Sequence, residues 1–269
     1  MASRERAARR ARDVLVLCYH AVSLDWPEEV AVDPGQLRDQ LAHLLARGWR
    51  ATTFTEAVLA PPARRTLAVT FDDGFRSTCE LAAPILERLG IPGTLFVPTA
   101  FPGSGHLLAW PHLDRWLGTS HEHELEPASW SQIHSLQAAG WEIGSHTSSH
   151  RQLTTVAPEE QRTELADSRA EIERRLGVHC RAIAYPYSDV DASLARLARQ
   201  CGYEAGAVLL PMRHGRDPLR FPRVFIAAGE RPALHRLHLR RSVRWLQSTS
   251  AWPRGPRQRR DPTVASCAA

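Results

Sequence analysis

Two carboxylates side by side at the end of an apolar run are a costly arrangement, and this chain has one: Thr70-Phe71-Asp72-Asp73-Gly74. Like charges that close repel each other when buried, so a positive group has to sit nearby. Successive residues of a strand point to opposite faces, so one aspartate can ligate a cation while the other stands apart as a proton acceptor. Gly74 supplies the freedom for a sharp turn after the pair. Taken alone, the run reads equally well as an ordinary Asp-Asp-Gly turn.

A second cluster is Gly144-Ser145-His146-Thr147-Ser148-Ser149-His150. Histidines four apart fall on one side of a helical turn and can share a metal. In a chain with 13 histidines that spacing means little by itself. Joined to a carboxylate from another strand end, it becomes a two-histidine, one-carboxylate site. The third cluster, Ala184-Tyr185-Pro186-Tyr187-Ser188-Asp189, is an aromatic-proline turn whose plain reading is turn chemistry.

Some scaffold must bring these clusters to one place. Apolar runs at 14–19, 66–71, 94–97, 141–144, 182–185, 203–210 and 223–226 predict strands. Between them lie helical patterns. One opens at Asp33-Pro34, shows Leu37, Leu41, Leu44 and Leu45 on one face, and stops at Gly48. Others are predicted at 79–89, 112–117, 129–139, 158–176, 191–201 and, rich in arginine, 232–246. Strands alternating with helices argue for a parallel sheet with helices outside. About seven such units in one α/β domain favour a single distorted (β/α) barrel, whose chemistry belongs at the C-terminal strand ends. The expected division is a basic tail at 1–12, the barrel at 13–247 and a disordered Arg/Pro/Ser-rich tail at 248–269.

Composition bounds the function. The chain has 269 residues, 43% of them hydrophobic, and a mean hydropathy of −0.32, enough for one large core. All 34 basic residues are arginine and the net charge is +5. The excess gathers at the two ends, where solvated charge is the simpler reading, and no aromatic-basic repeat points to nucleic acid. Five cysteines, an odd number with no Cys-x-x-Cys pair, argue against a disulfide framework. No apolar window is long enough to span a membrane. Arg9-Arg10 is followed by Asp13 and only a short apolar run, which does not make an export signal, so a cytoplasmic location is expected. Oligomeric state is not legible.

In order and context the clusters resemble the NodB-homology polysaccharide deacetylases, metal-dependent carbohydrate esterases on a distorted β/α barrel. The likeness runs from about Val14 to Ile226. It includes Cys18-Tyr19-His20, Thr70-Phe71-Asp72-Asp73-Gly74-Phe75, Ala83-Pro84-Ile85-Leu86, Ile143-Gly144-Ser145-His146-Thr147, Ala184-Tyr185-Pro186-Tyr187 and Gly202-Tyr203. The resemblance implies that Asp73, His146 and His150 bind one divalent metal, zinc before other transition ions. It also implies Asp72 as general base and the Tyr187 backbone N–H as an oxyanion donor. Many members carry, in the third cluster, an arginine that pairs with the base. Here Ala184 stands in its place, so either Asp72 is less acidic or another arginine substitutes.

Members also have a C-terminal Leu-x-His whose histidine protonates the leaving amine. Leu234-His235 and Leu237-His238 offer the pattern on a surface-like helix, whereas His20 ends a strand, as in relatives acting on poly-N-acetylglucosamine. His20 is therefore the favoured acid. Trp26 and Trp110, in loops after strands, and Tyr185 are candidate substrate contacts; Trp130 reads rather as packing. The implied reaction is removal of N-acetyl groups from amino-sugar polymers, oligomers or conjugates. Deacetylation of a small cytosolic metabolite and a non-catalytic carbohydrate-binding barrel are the alternatives.

Overall fold

The computed structural model describes residues 13–209 and 217–229. The predicted 1–12 and 248–269 tails, the 232–246 helix, His235 and His238 lie outside the described residues. Seven parallel strands close on themselves: β1 (Asp13–Tyr19), β5 (Arg65–Phe71), β6 (Gly93–Val97), β7 (Glu142–Ser145), β8 (Ala182–Ala184), β9 (Ala205–Leu209) and β10 (Phe221–Phe225). β1 closes the ring, pairing with β5 through Cys18↔Thr70 and with β10 through Cys18↔Phe225. The barrel expected from the alternating pattern is present.

Period-two alternation sorts each strand into an inward and an outward set. Leu15, Leu17, Leu67 and Val69 point outward into one apolar core that also holds the buried faces of α1 (Pro34–Ala46), α4 (Trp130–Ala138) and α5 (Pro158–Leu176). Val16, Ala68, Phe96, Ala182, Ala184, Ala205 and Ala207 pack together inside. Small residues dominate the interior because Phe96 fills it. A Cβ at Gly144 would stand 2.5 Å from the Phe96 ring, so only glycine fits there. The same inward parity carries Cys18, Thr70, Asp72 and Arg223 to the C-terminal mouth.

Four short elements were not anticipated: β2 (Ala21–Val22) paired with β3 (Ala31–Val32), β4 (Arg50–Thr52) on the lower edge of β5, and α2 (Phe54–Leu59). The α2 helix plugs the N-terminal mouth, with the Phe54 amide donating to Thr94 Oγ1 at 2.9 Å. The helix expected at 112–117 is only a 3₁₀ turn, Asp114–Trp116. Pro111 and Gly118 bound it too closely for more, and tertiary contacts hold it instead: Glu28 accepts from Trp116 Nε1 at 2.8 Å and from Arg115. The other helices predicted within the described residues are present, the 79–89 one as a π-helical turn (Thr78–Ala82) running into α3 (Ala83–Arg88), and that at 191–201 as α6 (Ala192–Gln200).

Candidate active site

Asp72 continues the β1–β5 pairing, its amide donating to Tyr19 O at 3.0 Å. Asp73 breaks it. Its φ is +70°, that of Gly74 is +69°, and this left-handed pair of residues turns the Asp73 carboxylate away from Asp72. The two aspartates are thus separated by a tight turn rather than by strand alternation. A non-glycine residue in this region stores strain, which clusters where geometry serves function.

Asp73 Oδ1 lies 3.2 Å from His146 Nε2 and 3.3 Å from His150 Nε2. All three residues are buried, and their ligand atoms lie within 4.8 Å of one another. Ligand bonds of about 2.0–2.1 Å in a tetrahedron place donor atoms about 3.3–3.4 Å apart, so this spacing fits a divalent ion such as zinc. His146 Nδ1 is 2.8 Å from Ala184 O, which fixes the ring with its proton on Nδ1 and leaves Nε2 free for a metal.

His150 is held differently. The segment from His146 to His150 is a loop, not the helical turn its spacing suggested, with φ of +65° at Thr147 and +60° at His150. The side chain of Glu164, reaching from α5, gathers that loop. It accepts from the Ser148 and Ser149 amides, both at 2.9 Å, and from Ser149 Oγ at 2.5 Å. The His150 amide donates to Thr147 Oγ1 at 3.1 Å. His150 Nδ1 is buried without a hydrogen-bond partner; instead the ring stacks on Trp110, centroids 3.8 Å apart, with Tyr187 edge-on at 4.9 Å.

Asp72 has its counter-ion. Arg223 of β10, 1% exposed, donates from Nη1 to Oδ1 and from Nη2 to Oδ2, both at 2.7 Å, and from Nη1 to Thr70 Oγ1 at 2.9 Å. Burial opposes ionisation of Asp72, but the guanidinium outweighs it and holds the carboxyl below its usual range. Burial likewise opposes ionisation of Asp73, and the two histidines overcome it. Of those histidines, burial alone would lower both; beside Asp73 and Asp72, His146 is raised, while for His150 burial prevails.

The sequence pattern of the polysaccharide deacetylase family matches residues 60–206, more than half the chain. The chain belongs to the polysaccharide deacetylase family. A family relative is YxkH of Bacillus subtilis (strain 168), whose name places it among polysaccharide deacetylases. It is 25% identical over 207 residues, covering 75% of this chain and 66% of YxkH, just under two thirds of that protein's length. Among solved structures, the deacetylase PplD of Streptococcus pyogenes, in complex with acetate, superposes with a TM-score of 0.71 at 21% identity over 86% of this chain and 99% of its own. IcaB from Ammonifex degensii gives 0.63 at 26% identity, over 79% and 91%. BC0361, a polysaccharide deacetylase from Bacillus cereus, gives 0.65 at 22%, over 81% and 66%.

Against the polysaccharide deacetylase pattern, the missing arginine at Ala184 is made good from another strand. Arg223 is the residue sequence reasoning missed, although the signal was there: an arginine in an apolar strand, and an aspartate pair in want of a cation. Glu164 was hidden in a charged helix, where nothing marks it as buried.

The remaining candidates divide. His20 reaches Asp72 and Cys18, with ligand atoms of all three within 4.8 Å of one another. Tyr187 sits at the rim with φ of +58° and a half-exposed ring. Trp110 is half-buried, one face against His150. Trp26 and Tyr185 are not at the surface. Trp26 is 3% exposed, packed edge-on to Phe75 and Trp116 in a cluster capping the mouth, because folding the 21–33 loop inward buries its largest ring. Tyr185, 1% exposed, is drawn into the outer core with Leu194 and Tyr203. Neither offers a ring face to a ligand. Among the described residues no helix is long and apolar enough to cross a membrane.

Proposed function

We propose that this chain is a metal-dependent hydrolase removing N-acetyl groups from amino-sugar polysaccharides, oligosaccharides or glycoconjugates. One observation carries the reading: a buried, ionised Asp72 clamped by Arg223 stands beside, but not within, the Asp73–His146–His150 group. A pure binding protein has no use for a carboxylate kept charged next to a second, ligand-forming carboxylate. A divalent ion held by Asp73, His146 and His150 would polarise the amide carbonyl and lower the pKa of a bound water.

The chain's own residues supply the rest. Asp72, kept ionised, accepts a proton from the attacking water. The Tyr187 N–H, aimed by the Pro186 turn, donates to the developing oxyanion. His20, next to Asp72, protonates the departing amine, which is far too basic to leave as an anion. Trp110 offers the ring surface not taken by His150 to a sugar face.

The test is metal content and turnover on acetylated chito-oligosaccharides and nucleotide-linked N-acetyl sugars. The expected result is about one divalent ion per chain in the wild type and its loss in His146→Ala and Asp73→Asn. Stoichiometric metal retained in His146→Ala would refute the ligand set.

A further inference from the structure

Beside the Asp73 group lies a second one, on the other side of the carboxylate pair: Cys18, His20 and Asp72, their ligand atoms within 4.8 Å of one another. The Cys18 thiol donates to Asp72 Oδ2 at 3.4 Å. His20 Nδ1 is buried with no hydrogen-bond partner. We propose that Cys18, His20 and Asp72 form a second, inhibitory site for a thiophilic divalent ion, occupied only when metal is in excess.

The spacing supports this. An ion with bonds of about 2.3 Å to sulfur and about 2.0–2.2 Å to oxygen sets the two donors about 3.5–3.7 Å apart in a tetrahedron. The thiol and the carboxylate already stand at 3.4 Å. A carboxylate has about four acceptor directions. On Asp72, Arg223 takes two and the Cys18 thiol a third. The ion takes the place of the thiol proton along that third direction, and the proton leaves to solvent. His20, partly exposed at the mouth, provides both the third donor and the way in. Sulfur, imidazole and carboxylate together select zinc, cobalt or cadmium over magnesium or calcium. A fixed guanidinium 2.7 Å from the same carboxylate opposes a further cation, so this site fills after the Asp73 site.

The consequence rests on the reading of Asp72 as general base: once it ligates an ion it can no longer accept a proton. Stepwise addition of cobalt to the metal-free protein, followed by absorption and by turnover, tests this. The first equivalent should restore turnover without a thiolate-to-cobalt charge-transfer band. Further equivalents should raise that band and suppress turnover, on the order of 10²-fold, the scale of a lost general base. In Cys18→Ser the band should be absent, and turnover past the first equivalent should stay level relative to that variant's own maximum. No second equivalent, a band that survives Cys18→Ser, or unchanged suppression in that variant would each overturn the proposal. Should the serine variant fail to fold, His20→Ala must weaken the second binding event at least about tenfold. If the band behaves as expected but the first equivalent restores no turnover on any acetylated sugar, the second site stands and the enzymatic reading fails.

Discussion

The two mouths of the barrel each carry an inward-pointing carboxylate, and they solve its burial in opposite ways. At the C-terminal mouth Asp72 is gripped by both nitrogens of a buried arginine, and its pKa is driven down. At the N-terminal mouth Glu142, the first residue of β7, has only neutral donors: the Thr55 amide at 2.9 Å, the Thr55 hydroxyl, and Thr94 Oγ1 at 3.3 Å. Arg181 spends its hydrogen bonds on Glu204, and burial raises the Glu142 pKa. One carboxylate thus comes with its cation and stays charged, while the other caps the α2 plug and leans toward neutrality. A plug needs only satisfied hydrogen bonds; a proton acceptor needs a charge that burial does not remove.

Breaking the Asp72–Arg223 pair should have the largest effect. Asp72→Asn is expected to lose on the order of 10²–10⁴-fold in turnover, as for a missing general base. It also strands a buried guanidinium, which costs about 3–5 kcal/mol of stability. Adding Arg223→Met removes the stranded charge, so the double variant should regain most of that stability while staying inactive. Urea unfolding and turnover of the single and double variants separate the two effects. Recovery of turnover in the double variant would mean that Asp72 is not the base.

A smaller effect is expected at Glu164, which shapes the loop carrying His150. Replacing it by alanine leaves the Ser148 and Ser149 amides without their acceptor and frees a loop held at positive φ. Metal affinity should fall about 10–100-fold, the range typical of residues that orient a ligand. Glu164→Gln keeps an acceptor oxygen and should recover much of it. Equilibrium dialysis of metal reads this directly, and kcat at saturating metal should change less than the affinity. Equal metal affinity in Glu164→Ala and wild type would show that the loop needs no such anchor.

What the sequence revealed follows from how local each signal is. The barrel strands, the Asp33 cap of α1 and the length of α5 rest on periodicity and capping within a few residues. The candidate ligands Asp73, His146 and His150 sit in compact motifs, so their types and spacing were readable. Arg223 lies 151 positions from Asp72, and only strand parity around a closed barrel joins them. The left-handed turn at Asp73 and the burial of Trp26 are also tertiary outcomes. No local propensity asks for an aspartate at positive φ, and a loop tryptophan shows its fate only when the loop has folded.

The gentlest test sets the pH dependence of the two mouths against each other in metal-free protein. The Asp72 pKa is lowered by folding, so its stabilisation is present above the ordinary aspartate value of 3.8 and is lost as pH falls through the folded value. The Glu142 pKa is raised by folding, so from the ordinary value of 4.5 up to its folded value the native state binds more protons than the unfolded one. Stability therefore declines with rising pH across that window and stays lower beyond it. In Glu142→Gln the amide oxygen can still accept from the Thr55 amide and the Thr94 hydroxyl, and its NH₂ can donate to the Thr55 hydroxyl, so the change should cost within about 1 kcal/mol below the window. Above it, the variant should equal or exceed the wild type, because no buried charge has to form. Urea unfolding from about pH 2 to about pH 8 measures both slopes. A wild-type decline that persists unchanged in Glu142→Gln would place its source elsewhere and remove the contrast between the two mouths.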